Sequence, residues 1–100
     1  MAYVPDLMDR SRLNAVRDLV IVNAPGAIDT IAGLGPGDVV AVDLSRDGGL
    51  DAGARAAARG ATVYGFASHV DTETIKRAEA EGVIAMARSA FFGRVAELFA

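Results

Sequence analysis

Residues 38–44 read Asp-Val-Val-Ala-Val-Asp-Leu (DVVAVDL), and the interpretation of that run decides the fold. Val39 to Val42 are apolar without a break, where a strand with one wet face would alternate. The run is short and β-branched, which favours extended backbone over helix. It reads as a strand buried on both faces, of the kind that a helix-covered parallel sheet requires. Outward from it, Asp18–Asn23 (DLVIVN) and Ala61–Ala67 (ATVYGFA) have the same character. Val83–Ala87 (VIAMA) is a weaker strand, and Met1–Val4 can add a very short one.

Helical segments fall between these runs. Leu7–Arg17 puts Leu13 and Val16 on one face, and Ala27–Leu34 places Ile28, Ile31 and Ala32 at helical spacing before Pro36. Leu50–Arg59 is Ala-rich, which suits close packing on a sheet, and it ends at Gly60, a good helix-stop residue. Asp71 or Thr72 can cap a helix that runs to Glu81 and stops at Gly82. Phe92–Phe99 forms a last helix with Phe92, Val95 and Phe99 on one side. Gly33-Leu34-Gly35-Pro36-Gly37 leads into a strand, not a helix, so it reads as a stop and turn and not as a phosphate cradle. Strands alternating with helices predict one α/β domain over residues 1–100, a three-layer α/β/α doubly wound fold on a five-stranded parallel sheet.

Composition narrows the function. The net charge of −3 is spread over dispersed acids, with no Lys/Arg run, so a nucleic-acid footprint is absent. With no cysteine, disulfides and zinc–thiolate sites are excluded, and one histidine cannot build a His-based metal cage. No apolar run approaches the ~18–20 residues of a membrane span. Residues 1–10 carry two acids and no long apolar stretch, so no secretory signal is expected and the cytoplasm is the expected location.

Ligands of an open parallel sheet bind at the carboxyl ends of its strands. Those ends carry Pro5, Asp6 and Asp9; Asn23 to Gly26; Asp43; Ser68 and His69; and Arg88 and Ser89. Asp6 and Asp43 suit a hard cation such as Mg²⁺. Asp43 can then act as a nucleophile toward a phosphoryl group, with Arg88 and Ser68 meeting its oxygens. Ser68, His69 and Asp71 do not make a hydrolytic triad, because adjacent strand residues point to opposite faces and no G-x-S-x-G turn is present.

This ordered set resembles the receiver domain of bacterial response regulators. Val42-Asp43-Leu44 with Asp47-Gly48-Gly49-Leu50 resembles the family's stretch from the phosphoacceptor strand into the next helix. Ala80-Glu81-Gly82 resembles its turn before the fifth strand, Arg88-Ser89-Ala90-Phe91 falls where it has Lys-Pro-Phe, and Val4-Pro5-Asp6 falls at its paired-acid turn. The resemblance spans the chain and implies a flavodoxin-like strand order of 2-1-3-4-5. It also implies signalling in which Mg²⁺ and aspartyl phosphorylation bias a protein-binding face. This chain departs from the pattern in four places. Pro5 replaces one acid of the pair, Arg88 replaces the Lys, Ser89 replaces the following Pro, and the Pro of the loop after the phosphoacceptor is absent. The family's hydroxyl residue at the fourth strand end matches Ser68 or, by strict spacing, Ala67.

The expectation is therefore a stand-alone receiver-like docking module with weak or lost phosphoacceptor activity at Asp43, and no enzyme beyond autophosphorylation there. Arg88 is expected to pair with Asp43 or Asp6 and so to replace the metal. A protein partner is expected. So is a homodimer through the C-terminal helix face, because Phe91, Phe92, Leu98 and Phe99 exceed what one face of a short helix buries. The alternative is a module that binds a nucleotide or another phosphate compound at the same strand ends.

Overall fold

The computed structural model describes residues 1–100. The strands are β1 (Ala2–Tyr3), β2 (Ile21–Val22), β3 (Val39–Asp43), β4 (Thr62–Ala67) and β5 (Ile84–Ala87). The helices are α1 (Leu7–Ser11), α2 (Gly26–Asp29), α3 (Gly49–Ala58), α4 (Thr72–Ala80), α5 (Arg88–Gly93) and α6 (Val95–Leu98). All strands are parallel, in the order β2-β1-β3-β4-β5, which is the flavodoxin-like order. β3 lies at the centre, with Ala41 paired to Ala2 on one side and to Tyr64 on the other.

The alternation of side chains along β3 and β4 divides the core in two. Val40, Val42, Val63 and Ala67 point to the side covered by Ile28 of α2, Ala52 and Ala56 of α3, and Ala78 of α4. Ala41 and Phe66 point to the side covered by Leu13 and by Phe91, Phe92, Val95 and Leu98 of α5 and α6. Apolar residues on successive positions of β3 thus serve two different helix layers, which is why the run does not alternate. The Ala-rich α3 packs closely, as its composition predicts: Gly53 lies so near Val42 that an added Cβ would sit 3.0 Å from a methyl of that valine. No helix is long and apolar enough to cross a membrane.

Four boundaries differ from the sequence reading. β2 covers only Ile21–Val22 of the expected Asp18–Asn23 and is half-buried, because it is an edge strand with one neighbour and Asp18 adopts φ 58° just before it. α1 ends at Ser11 and not at Arg17, and the chain continues in tight turns that still deliver Leu13 to the core. α2 ends at Asp29, short of the expected Leu34. The last helix begins four residues early, at Arg88, and breaks into α5 and α6 at Arg94, next to the poor helix former Gly93.

That break corrects the premise of the expected helix-face homodimer. Two short helices wrap onto the sheet where one straight helix would show a surplus face. Phe91, Phe92 and Leu98 are buried, and Phe99 is half-buried. Phe66, Phe91 and Phe92 form one aromatic cluster with centroids 4.7–5.1 Å apart, and the Arg12 guanidinium covers the Phe92 ring at 4.3 Å.

Val40 has no exposed surface. Val40→Asp places an unpaired charge between the two layers and is expected to remove most of the ~5–15 kcal/mol that holds a domain of this size. Urea denaturation followed by circular dichroism reads this, and a soluble, cooperatively unfolding variant would exclude β3 from the centre of the sheet.

Candidate functional site

The carboxyl ends of β1, β3 and β5 bring three carboxylates and two guanidiniums together. Asp6 is the N-cap of α1, and its Oδ1 accepts the Asp9 backbone N–H at 3.0 Å. That hydrogen bond, ahead of the smaller effects of Arg46 and Arg88, holds the Asp6 carboxyl below its ordinary range. The cap starts the helix and thereby turns Asp9, three residues on, into the protein. Asp9 is buried and accepts from Arg88 Nη2 at 2.5 Å.

Arg88 follows directly on β5 as the first residue of α5. Its guanidinium lies 5.4 Å from the Phe66 ring centroid and 5.6 Å from that of Phe92, so the cation is held against two aromatic rings as well as a carboxylate. The Asp9 hydrogen bond is the main cause that raises the Arg88 pKa, with Asp43 and Asp6 adding to it from further away. The sequence reading paired Arg88 with Asp43 or Asp6, and the structure corrects this to Asp9. The reason is helical geometry: the third residue of α1 faces inward, while the cap residue Asp6 stays at the surface.

Asp43 closes β3 and is 1% exposed. Its Oδ1 accepts two hydrogen bonds from Ser45, the backbone N–H at 3.0 Å and the hydroxyl at 2.6 Å. Its Oδ2 lies 3.8 Å from Arg46 Nε, and Arg46 Nη2 lies 3.8 Å from Asp6 Oδ2. One guanidinium therefore bridges the two carboxylates named as a Mg²⁺ pair. No three His, Asp or Glu side chains converge to hold a metal ion. Arg46 thus places positive charge between Asp6 and Asp43.

The glycines after β3 make this turn possible. Gly48 has φ 79°, a conformation that L side chains rarely adopt. At Gly49 an added Cβ would fall well inside van der Waals contact of the Asp43 carbonyl oxygen. The Asp47-Gly48-Gly49-Leu50 stretch thus has a local physical reason: α3 starts hard against the strand end that carries the site.

Ser68 is exposed, and its Oγ accepts the Val70 N–H at 3.4 Å. It makes no hydrogen bond to Asp43, so the structure brings together Asp6, Asp43 and Arg88 but leaves Ser68 outside their hydrogen bonds. His69 is exposed, and Asp71 caps α4 through the Thr74 N–H at 3.3 Å, so no triad forms. Sequence reasoning missed Ser45 and Arg46. The signal available was an Arg three residues after a strand-end Asp, with a hydroxyl residue between them.

No family model matches the chain, and neither a curated protein nor a solved structure matches it. The fold and the site together define a flavodoxin-like α/β domain whose strand-end carboxylates are met by its own arginines.

Three variants test this geometry. Arg88→Ala orphans a carboxylate that is buried, and is expected to cost about 1–3 kcal/mol, toward the lower end because the arginine itself is partly solvated. Arg46→Ala removes a long, exposed contact and is expected to cost no more than about 0.5 kcal/mol. Urea denaturation of both variants gives the ranking, and the reverse order would show Arg46 to be the structural cation. Gly49→Ala is expected to destabilise by about 1–3 kcal/mol through overpacking against the Asp43 backbone, and to move the Asp43 and Ser45 amide signals; a neutral Gly49→Ala would remove the glycine argument.

Proposed function

We propose that this chain is a receiver-like protein-docking module whose phosphoacceptor position, Asp43, is held shut by arginine. It docks in one standing conformation and does not switch on Mg²⁺ and phosphoryl transfer. The observation that carries this reading is the position of Arg46, 3.8 Å from a carboxylate oxygen of both Asp6 and Asp43. A divalent cation at that place would have to displace a permanent charge. A phosphoryl group faces a second obstacle. One oxygen of Asp43 already accepts two hydrogen bonds from Ser45, and the side chain is almost wholly buried. Arg88, the counterpart of the mobile lysine in the resemblance, is committed to Asp9 and to two aromatic rings. Arginine suits such a fixed grip better than lysine does.

Docking is supported by what surrounds the site. Of the five large apolar side chains that are well exposed, three lie in segments that follow a strand's carboxyl end: Leu7 at 76%, Met8 at 78% and Val70 at 73%. Exposed apolar side chains beside a polar strand-end centre are what a partner protein can cover.

Isothermal titration with Mg²⁺ separates the closed module from an active receiver. The wild-type chain is expected to bind Mg²⁺ more weakly than millimolar, and Arg46→Ala to bind it better by freeing Asp6 and Asp43. Beryllofluoride with Mg²⁺ is expected to leave the wild-type amide signals of Asp6, Asp43 and Ser68 in place. Tight Mg²⁺ binding by the wild type, or a beryllofluoride shift that Asp43→Asn abolishes, would make the chain a working phosphoacceptor and overturn the proposal.

A further inference from the structure

Asp18–Asn23 has the composition of a strand buried on both faces, yet folding leaves it on an open edge of the sheet. Val20 is 58% exposed, and β2 has no neighbour beyond β1. The Ala2 N–H donates to the Val20 carbonyl at 2.9 Å, and Ala2 is paired with Ile21. In a parallel ladder such a residue bonds to the residues on either side of its partner. Val20 and Val22 therefore turn their main chain toward β1, and Leu19, Ile21 and Asn23 turn theirs outward. The N–H and C=O groups of Leu19 and Asn23 accordingly make no hydrogen bond to other backbone groups. Folded proteins blunt such an edge with charge, proline or a bulge. Leu19–Asn23 (LVIVN) has no charged residue and no proline. The opposite edge, β5, is closed at its start and its end. The Val83 N–H just before it donates to the Ala78 carbonyl at 3.0 Å, and β5 runs directly into α5.

The β2 edge is complementary to itself. The extended run begins after Asp18, whose φ of 58° breaks the strand, and it ends at Asn23 ahead of α2. Ile21 is its midpoint. A two-fold axis at Ile21 sets the outward N–H and C=O of one copy against those of the other in antiparallel register. Leu19 then lies opposite Asn23 of the second copy, and their outward groups are satisfied in the same way. Val20 faces Val22 of the second copy in the closely spaced kind of pair, which covers the exposed valine. The charges fit the same register. Asp18 is exposed and takes part in none of the chain's ion pairs. Arg10 also has no acidic partner, and its Nη2 is held beside the far end of the run by Asn23 Oδ1 at 3.0 Å. The pairing brings Asp18 of each copy next to Asn23 of the other, and so to Arg10.

We infer that the β2 edge binds a second copy of this chain, with Leu19–Asn23 paired antiparallel about Ile21 to join the two sheets into one. The inference does not rest on the docking role, because it uses the side edge of the sheet and involves neither Asp43 nor Arg46. Five paired residues make a small interface, so the dimer is weak and forms with rising concentration.

Translational diffusion of the full chain, measured by NMR from micromolar to millimolar concentration, reads the association and is expected to slow toward the dimer value. A mixture of labelled and unlabelled chain is expected to give an isotope-filtered NOE from Val20 Hα to Val22 Hα of the second copy, the close approach of a non-hydrogen-bonded antiparallel pair. Val20→Lys puts a charge on an exposed edge position and is expected to abolish association. Asp18→Asn retains a residue that accepts the left-handed conformation, and is expected to weaken association by about two- to tenfold through loss of two exposed ion pairs. A chain that is monomeric at every concentration would leave the edge to a strand of another protein and overturn the inference. Association that Val20→Lys leaves intact, or a dimer without the Val20–Val22 NOE, would place the interface on another face and overturn it as well. Asp18→Asn associating as the wild type does would remove the charge complementarity that selects a second copy. The filtered NOE uses the unmodified chain, so the test stands even if a variant fails to fold.

Discussion

A carboxylate at the end of a strand that is buried on both faces must find its partners within a few residues. Asp43 is in that position, and much of the local structure answers its need. Ser45 turns back to give it two hydrogen bonds, and Arg46 comes next to offer a counter-charge. Gly48 then takes a left-handed conformation and Gly49 admits the close approach of α3. No buried side-chain nitrogen or oxygen is left without a partner, so the polar cost of ending β3 on an acid is met locally.

The second buried carboxylate is satisfied in the opposite manner, across the fold. Asp9 and Arg88 are 79 residues apart, and their contact joins the start of α1 to the start of α5. Because Arg88 also rests against Phe66 and Phe92, the ion pair and the aromatic cluster reinforce one another. Burying only the carboxylate end leaves the guanidinium partly solvated, which limits the desolvation cost that makes fully buried pairs unfavourable. The pair therefore orders the α1–α5 layer without demanding a dry ionic core. The other layer, built on α2 to α4, relies on small side chains packed against valines.

Taken together, the two arginines turn a set of strand-end acids into a structural centre. Arg46 and Arg88 are both permanently charged, and each already has an acidic partner. Two guanidiniums against three carboxylates reduce the negative charge at the strand ends.

The sequence by itself determined the α/β class, the number of strands, the central place of Val39–Asp43 and the strand ends as the place where polar residues gather. Those features depend on local patterns: continuous apolar runs, helix caps such as Asp71, and glycine stops such as Gly60 and Gly82, each of which acts within a few residues. The edge character of β2 and the split of the last helix were less legible, since both depend on how many neighbours a segment finds once the sheet has formed. The partner of Arg88 was decided only by the tertiary structure. Asp6, Asp9 and Asp43 are equivalent as letters. What separates them is that Asp6 caps α1 at the surface, Asp9 faces inward one turn later, and Asp43 is already satisfied by Ser45. Only folding sets these distances, because an ion pair depends on where two side chains meet in space and not on how far apart they lie along the chain.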